Sequence, residues 1–280
     1  MSELLPSGLH IVATPIGNLG DLSPRAAETL RGADRILAED TRVTVKLLNH
    51  IGAKVPMSRY DDHTSEQDRE RIVGQLGDRA IVLVSDAGTP LISDPGYKLV
   101  RAARAAGHAI HTVPGPSAAI AALTLAGLPT DRFLFLGFLP AKAKARADSI
   151  ADVAGVRATL VIYESGPRLA GTLATLQEQL GERDAAVVRE ISKLHEECIT
   201  GTLAELSKSY ADGGSTRGEI VIVIGPPREE SSSSDEDIDA ALDEALQRLS
   251  PSRAAAEVAE RLNIPRKRAY ARALDRSAQR

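Results

Sequence analysis

At 280 residues and 43% hydrophobic, the chain can bury a substantial core, and its length suits two domains with a small appendage. No apolar run approaches the roughly 20 residues that span a bilayer, "MSELLPSGLH" lacks the basic and apolar regions of a secretory signal, and a formal net charge of −4 is not that of a protein coated in nucleic acid. The single cysteine, Cys198, excludes an internal disulfide and fits a reducing cytoplasm, and scattered histidines without an HExxH helix leave no metal site expected.

Strand-like and helix-like runs alternate from the start. "LHIVATP" (residues 9–15) precedes "SPRAAETLRGA", where Ser23 can cap a helix and Pro24 suits its first turn. "DRILAED" is followed by a helical "TVKLLNHIG", closed by Gly52. "RAIVLVSD", "GYKLVRAARAAG" and "AIHTVPG" continue the pattern. This β-α-β-α order predicts a largely parallel sheet covered by helices, with strands buried on both faces. After "VPGPSAAIAALTLAGLP" a second α/β set begins: "FLFLGFLP", "RATLVIYES", "PRLAGTLATLQEQLG", "AAVVREIS" and "GEIVIVIG".

The expected organisation is therefore an N-terminal α/β domain (1–113), a second α/β domain (114–227), a polar linker (228–237) and a helical tail (238–280). The linker "REESSSSDED" has nothing to bury. Beyond it, "IDAALDEALQRL" reads as an amphipathic helix. Then comes helix, turn at Asn263-Ile264-Pro265, and helix, which is helix-turn-helix spacing with the basic "RKRAYAR" on the last element. Between Pro251 and Arg280, eight basic residues stand against three acidic ones, an asymmetry that suggests contact with a polyanion.

Three Gly/Pro-rich loops follow strands: "TPIGNLGD" (14–21), "SDAGTP" (85–90) and "VPGPSA" (113–118). Ligands of open α/β sheets gather outside the carboxyl ends of the strands, where glycines allow close approach. None of the three is a Walker A or G-x-G-x-x-G loop, which weakens any case for ATP or NAD. Together they predict one shared ligand crevice.

"ATPIGNLGDLSPRA", "ILAEDTR", "VSDAGTPLISDPGYKLV", "VPGPSAAIAAL", "DRFLFLGFLPAK", "YES", "REISK" and "GEIVIVI" occur in order over about four-fifths of the chain. Together they resemble the ribosomal RNA small subunit methyltransferase I family of the tetrapyrrole methylase superfamily, which also carries a C-terminal helix-turn-helix. The resemblance implies two α/β domains with a cofactor cleft between them, a homodimer, and S-adenosylmethionine as methyl donor. It implies 2′-O-methylation of a cytidine ribose of 16S rRNA in the decoding region of the small ribosomal subunit, in the cytoplasm. Matched residue by residue, it places Asp86, Ala87, Gly88 and Thr89 on one side of the donor and Ser117 and Ala118 on the other. Pro15, Tyr163 and Gly218 are implied at its border. The sequence departs from the family at Gly166-Pro167, where the usual histidine is missing.

Methyl transfer from a sulfonium is an in-line displacement, so catalysis rests largely on positioning. A protonated ribose hydroxyl is a poor nucleophile, and a base or stabilising cation helps. The candidates are Glu39 and Asp40 of "EDTR", Asp62 and His63, and Glu190 with Lys193 of "REISK"; Asp86 is expected to be occupied with loop and donor contacts. The absence of tryptophan argues against stacking platforms. RNA contacts are expected instead from Arg25, Arg42, His63, the run Lys142, Lys144 and Arg146, and the tail residues Arg266, Lys267 and Arg268. Two other readings remain open at this point. A small-molecule tetrapyrrole methyltransferase would label a tetrapyrrole rather than RNA, and a nucleotide-sensing regulator with a DNA-binding tail would shift a duplex in a salt-dependent way.

Overall fold

The computed structural model describes residues 5–212, 218–227, 235–262, 264 and 266–278. Five short strands, β1 (Gly8–Val12), β2 (Arg35–Ala38), β3 (Met57–Arg59), β4 (Ala80–Val84) and β5 (Ile110–Val113), form a parallel sheet in the order β3-β2-β4-β1-β5. Helices α1 (Pro24–Gly32), α2 (Thr41–His50), α3 (Glu66–Val73) and α4 (Tyr97–Ala105) lie in the crossovers. Ser23 caps α1 by accepting the Ala26 N–H at 3.1 Å, with Pro24 in the first turn. The unbroken apolar run of β4 is explained by two covered faces. Val82 and Val84 pack with α1 and α2 residues such as Leu30 and Leu48, while Ile81 and Leu83 pack with Ile72 of α3 and Leu99 of α4. Each such side chain taken fully out of water contributes about 1.5–3 kcal/mol. Strand β3 was not foreseen, because "MSR" has no apolar pattern. It forms because the exposed edge of β2 offers partners, with the Tyr60 N–H donating to the Ala38 carbonyl at 2.9 Å.

The second sheet holds β6 (Phe133–Phe138), β7 (Thr159–Ser165), β8 (Asp184–Arg189), β9 (Glu197–Thr202) and β10 (Glu219–Ile224), in the order β6-β7-β10-β8-β9. Here only β6 and β7 pair in parallel; β10 runs antiparallel to both β7 and β8, and β9 antiparallel to β8. The reason is connection length. Parallel neighbours need a crossover of a dozen or more residues, and only the turn at 190–196 separates β8 from β9. One face of this sheet packs under α6 (Ala143–Ala151), α7 (Gly166–Leu180) and α8 (Leu203–Ala211), with Ile162, Ile220 and Ile222 meeting Ile150, Leu173 and Leu206. The other face takes α5 (Ala118–Ala126), whose Ala122 and Leu123 sit against Val161, Val188 and Val221.

The chain divides into two compact units, 1–226 and 227–280. The second contains α9 (Asp235–Ala245), α10 (Pro251–Arg261) and α11 (Arg266–Ala278) around Ile238, Leu242, Val258 and Ala273. Helix α9 starts within the stretch expected to be linker; residues 228–234, and Asn263 and Pro265 of the expected turn, lie outside the described residues. No helix among the described residues is long and apolar enough to cross a membrane.

Candidate functional site

Because β4, β1 and β5 are neighbours, the three loops at their carboxyl ends lie side by side. They are bonded to one another. Thr14 and Gly88 exchange backbone hydrogen bonds of 2.8 and 3.1 Å, and the Thr89 hydroxyl donates to the Pro116 carbonyl at 3.0 Å. Asp86 reaches the loop after β2, where its Oδ1 accepts the Asp40 N–H at 2.9 Å. Gly88 has φ +80°, a conformation that side-chain-bearing residues rarely hold, and the methyl of Ile16 stands 3.3 Å from where a Cβ would be. Farther along, Leu91 (φ 74°) and Ser93 (φ 66°) occupy the left-handed region without being glycine. Such residues cost on the order of 1–3 kcal/mol each and persist only where packing over-determines them. Between and beyond them, Ile92, Ser93 and Asp94 line the same cavity as the "SDAGTP" loop.

That cavity, about 340 Å³, lies between the two sheets and is of the size of small-molecule sites. Asp86, Ala87, Gly88, Thr89, Ser117, Ala118, Tyr163 and Gly218 all line it; Pro15 lines the neighbouring cavity instead. From the second sheet come Phe138, Ile191, Ile220 and Val221. Tyr163 is a pillar of the wall. Its hydroxyl accepts the Ala119 N–H at 3.2 Å, serving α5 where the Ser117 side chain makes no capping bond, and Phe135 and Phe138 meet its ring edge-on at 4.8 and 5.6 Å.

The electrostatics are one-sided. Glu39, Asp86, Asp94, Glu164 and Glu219 line the cavity, and among the described residues no lysine, arginine or histidine does. Burial raises the carboxyls of Glu39 and Asp86 above the usual carboxylate range, with the Asp86 charge adding to the effect on Glu39. Asp94 is pushed up to about 6, first by burial, against the opposing Ser85 hydroxyl, and further by the charges of Glu39 and Asp86. Glu164 is satisfied inside the protein: it accepts from the Ser165 N–H at 2.7 Å and the Thr172 hydroxyl at 2.6 Å, and Arg168 Nε lies 3.3 Å away.

On the far side of Ile16, Asp86, Ala87 and Glu219 lies a second cavity of about 350 Å³, walled by Pro15, Leu19 and the α2 residues Val43, Lys46 and Leu47. Lys193 borders it. Its Nζ donates to Glu190 Oε1 and Glu219 Oε2, each at 3.1 Å, while the Glu219 N–H donates to the same Glu190 oxygen at 3.2 Å. Gly17 and Gly218 are glycines for this reason: a Cβ on Gly17 would stand 2.5 Å from Lys193 Cγ, and one on Gly218 would collide with the Glu190 carboxylate. The Lys193 bond, followed by the Glu219 N–H, holds Glu190 below its ordinary value. For Lys193 burial opposes the charge, but the two carboxylates outweigh it and raise the ammonium. Neither is a free base.

Other expected site residues are placed elsewhere. Asp40 lies outside the cavity: it caps α2, accepting the Arg42 N–H at 2.8 Å, and pairs with the Arg42 guanidinium at 2.6 Å, which holds its carboxyl at about 2. That is a committed cap and a poor base, and it occupies Arg42 as well. His63 is exposed in a separate shallow pocket beside Arg35, Arg59 and Arg71, and neither it nor the exposed Asp62 lines the acidic cavity. Arg25 is exposed on α1, Lys142 and Lys144 are exposed at the start of α6, and Arg146 is tied to Thr175 at 3.3 Å. In the tail, Arg268 pairs with Asp235, Arg272 with Asp239 and Arg276 with Asp243. The positive surplus expected there is therefore matched within the helical unit: residues 235–280 carry nine basic and nine acidic residues. Arg266 and Lys267 remain exposed, with no ion pair among the described residues. Sequence reasoning missed Asp94, although its own Asp-Pro-Gly after an apolar stretch was the available signal.

The sequence profile of the Tetrapyrrole (Corrin/Porphyrin) Methylases matches residues 8–207, and that of the RsmI C-terminal HTH domain matches residues 232–277. A protein of Erythrobacter litoralis (strain HTCC2594) described as ribosomal RNA small subunit methyltransferase I is 52% identical over 274 residues, covering 98% of this chain and 97% of that protein. A Pseudomonas aeruginosa protein with the same description is 43% identical, over 96% and 97% of the two chains. Among solved structures, a diphthine synthase superposes with a TM-score of 0.61 at 15% identity, covering 78% of this chain and 89% of its own. The uroporphyrin-III C-methyl transferase of Thermus thermophilus, complexed with S-adenosyl homocysteine, gives 0.54 at 19%, covering 78% and 97%. At such identities these structures speak for the fold.

Proposed function

The chain belongs to the ribosomal RNA small subunit methyltransferase I family of the tetrapyrrole methylases, and from that premise we propose that it transfers a methyl group from S-adenosylmethionine to the 2′-hydroxyl of a cytidine in 16S rRNA of the small ribosomal subunit. The observation that carries the donor assignment is the charge of the cavity between the sheets. Five carboxylates and, among the described residues, no basic side chain line it, which disfavours the phosphates of a nucleotide cofactor and suits a ligand bearing a sulfonium and an ammonium against one carboxylate. When bound, the donor supplies a methyl group made electrophilic by the sulfonium.

The residues of the chain bind and orient. Asp86, Asp94 and Glu39 suit the cationic groups, and the backbone of Ala87, Gly88 and Thr89 offers polar contacts at close range. Ser117 and Ala118 open α5, whose N-terminal N–H groups suit the donor's carboxylate. Ile92, Phe138 and Val221 give apolar cover for the adenosine and exclude water. The reading includes action in the cytoplasm and a homodimer, which light scattering of the purified chain would reveal as twice the mass of 29.7 kDa.

The deciding experiment supplies labelled S-adenosylmethionine with undermethylated small subunits, naked 16S rRNA or a tetrapyrrole precursor, and maps the label by mass spectrometry. Label on a cytidine ribose of 16S rRNA is expected. Label on the tetrapyrrole alone, or on no RNA, would overturn the reading.

A further inference from the structure

We infer that the second cavity, between the first strand-end loop and α2, is the acceptor pocket, taking one nucleotide of single-stranded RNA with its phosphate at Lys46. This rests on the methyltransferase reading and adds to it where the acceptor binds.

Three observations support the assignment. The first is adjacency. Ile16, Asp86, Ala87 and Glu219 line both cavities, so the two adjoin along these residues. An acceptor hydroxyl and a donor methyl need such closeness, since reacting atoms must come within about 3–3.5 Å.

The second is charge. A cationic donor and a polyanionic acceptor need environments of opposite character. The donor cavity has carboxylates and, among the described residues, no cation, whereas the second cavity sets Lys46 and Lys193 beside the shared Asp86 and Glu219. Lys193 is held by Glu190 and Glu219. Lys46 is exposed on α2 with no ion pair among the described residues, which leaves it for a phosphate. The alternatives fail on one count each. A third cavity also shares Ile16 and Ser117 with the donor cavity, but it sets Asp21 and Glu196 there with no lysine or arginine among the described residues to attract a phosphate. The arginine-lined pocket around His63 shares no residue with the donor cavity.

The third is the lip. Leu19 is 46% exposed and Val43 37% exposed, and both line this cavity. Apolar side chains left in water at the mouth of a pocket suit the face of an unstacked base, and only a base outside a helix can present one. The volume of about 350 Å³ is ample for one nucleoside.

The test separates this pocket from the function it serves. A single-stranded oligoribonucleotide carrying one 4-thiouridine is photocrosslinked to the full chain saturated with S-adenosylhomocysteine, and the adducts are mapped. Crosslinks within residues 14–19 and 43–47 are expected; crosslinks confined to other surfaces overturn the pocket whether or not the chain methylates RNA. In parallel, Val43→Trp fills the pocket from an exposed helix position, and Lys46→Glu reverses its free charge. Val43→Trp is expected to lower kcat/KM for the RNA by about 100-fold. Lys46→Glu should raise KM about tenfold and reduce the salt slope by about one. Both should bind S-adenosylhomocysteine as the parent does, because neither residue lines the donor cavity. Parent-like methylation by both variants overturns the assignment, as does loss of donor binding in both. If the parent chain labels no RNA at all, the function fails, and the crosslink map still decides the pocket.

Discussion

Asp94 shows how one residue acquires chemistry from its surroundings. In isolation it is an aspartate before a proline. In the fold, two left-handed non-glycine residues precede it, and burial together with Glu39 and Asp86 brings its carboxyl to about 6. A cationic donor favours the ionised form. Donor affinity should therefore rise as pH increases through about 6 and level off above about 7, and donor binding should release protons below that range. Isothermal titration in buffers of different ionisation enthalpy measures both. Asp94→Asn is expected to flatten the pH dependence and weaken the donor about tenfold at neutral pH; an affinity that falls with rising pH would show that Asp94 does not face the cation. The same carboxyl opposes stability at neutral pH. Its folded value lies above the unfolded one, so the folded chain binds the extra proton between about pH 4 and 6 and loses that contribution as pH rises through about 6.

At the scale of the element, α9 and α11 are joined by side chains repeating every four residues. Asp235, Asp239 and Asp243 on one helix face Arg268, Arg272 and Arg276 on the other. Arg272 is the centre of this ladder, with two bonds to Asp239 at 2.7 and 2.6 Å and one to Asp235 at 2.7 Å. These groups are partly exposed, so each pair is modest alone and screened by salt. Arg272→Ala is expected to lower the melting temperature of the helical unit modestly, with the loss shrinking at high salt. Leu242→Ala, in the buried centre of the same unit, should cost about 2–5 kcal/mol regardless of salt. Both variants are read by circular dichroism melting; an arginine effect that persists at 1 M salt would mean that packing of its stem, rather than charge, is what α11 contributes. Arg268 pulls down the carboxyl of Asp235, and Arg272 that of Asp239. The ladder is thus intact above the ordinary aspartate range and is lost as pH falls through the lowered values.

At the scale of the molecule, every residue of both cavities lies within the first compact unit. A chain ending at Pro227 should fold and bind S-adenosylmethionine with unchanged affinity, measurable by the same titration. Loss of donor binding in that truncation would show that the α/β unit depends on the helices for its fold. The balance of charge across residues 235–280 also predicts that this unit adds little long-range attraction for RNA. Its contacts fall to the exposed Arg253, Arg266 and Lys267 rather than to the paired arginines.

The local pattern of the chain determined strands β1, β2, β4 and β5 of the first sheet, most helices, the Ser23 cap and the three strand-end loops. Each depends on residues adjacent in sequence or one helical turn apart, so periodicity and capping chemistry report them. The loop motifs also identified one wall of the cavity between the sheets, because Asp86 to Thr89 form a continuous stretch after a buried strand. Only the tertiary structure decided which charges are free. Asp40 caps its own helix while its N–H holds Asp86, Glu190 is locked to Lys193 by a turn that brings Glu219 alongside, and Arg268 meets an aspartate 33 residues away. It also decided the antiparallel course of β9 and β10, and the pairing of an acidic cavity with a lysine-bearing one. The physical reason is common to all of these. The field at a side chain is the sum over neighbours brought close by packing, and its position in the sequence does not contain that sum.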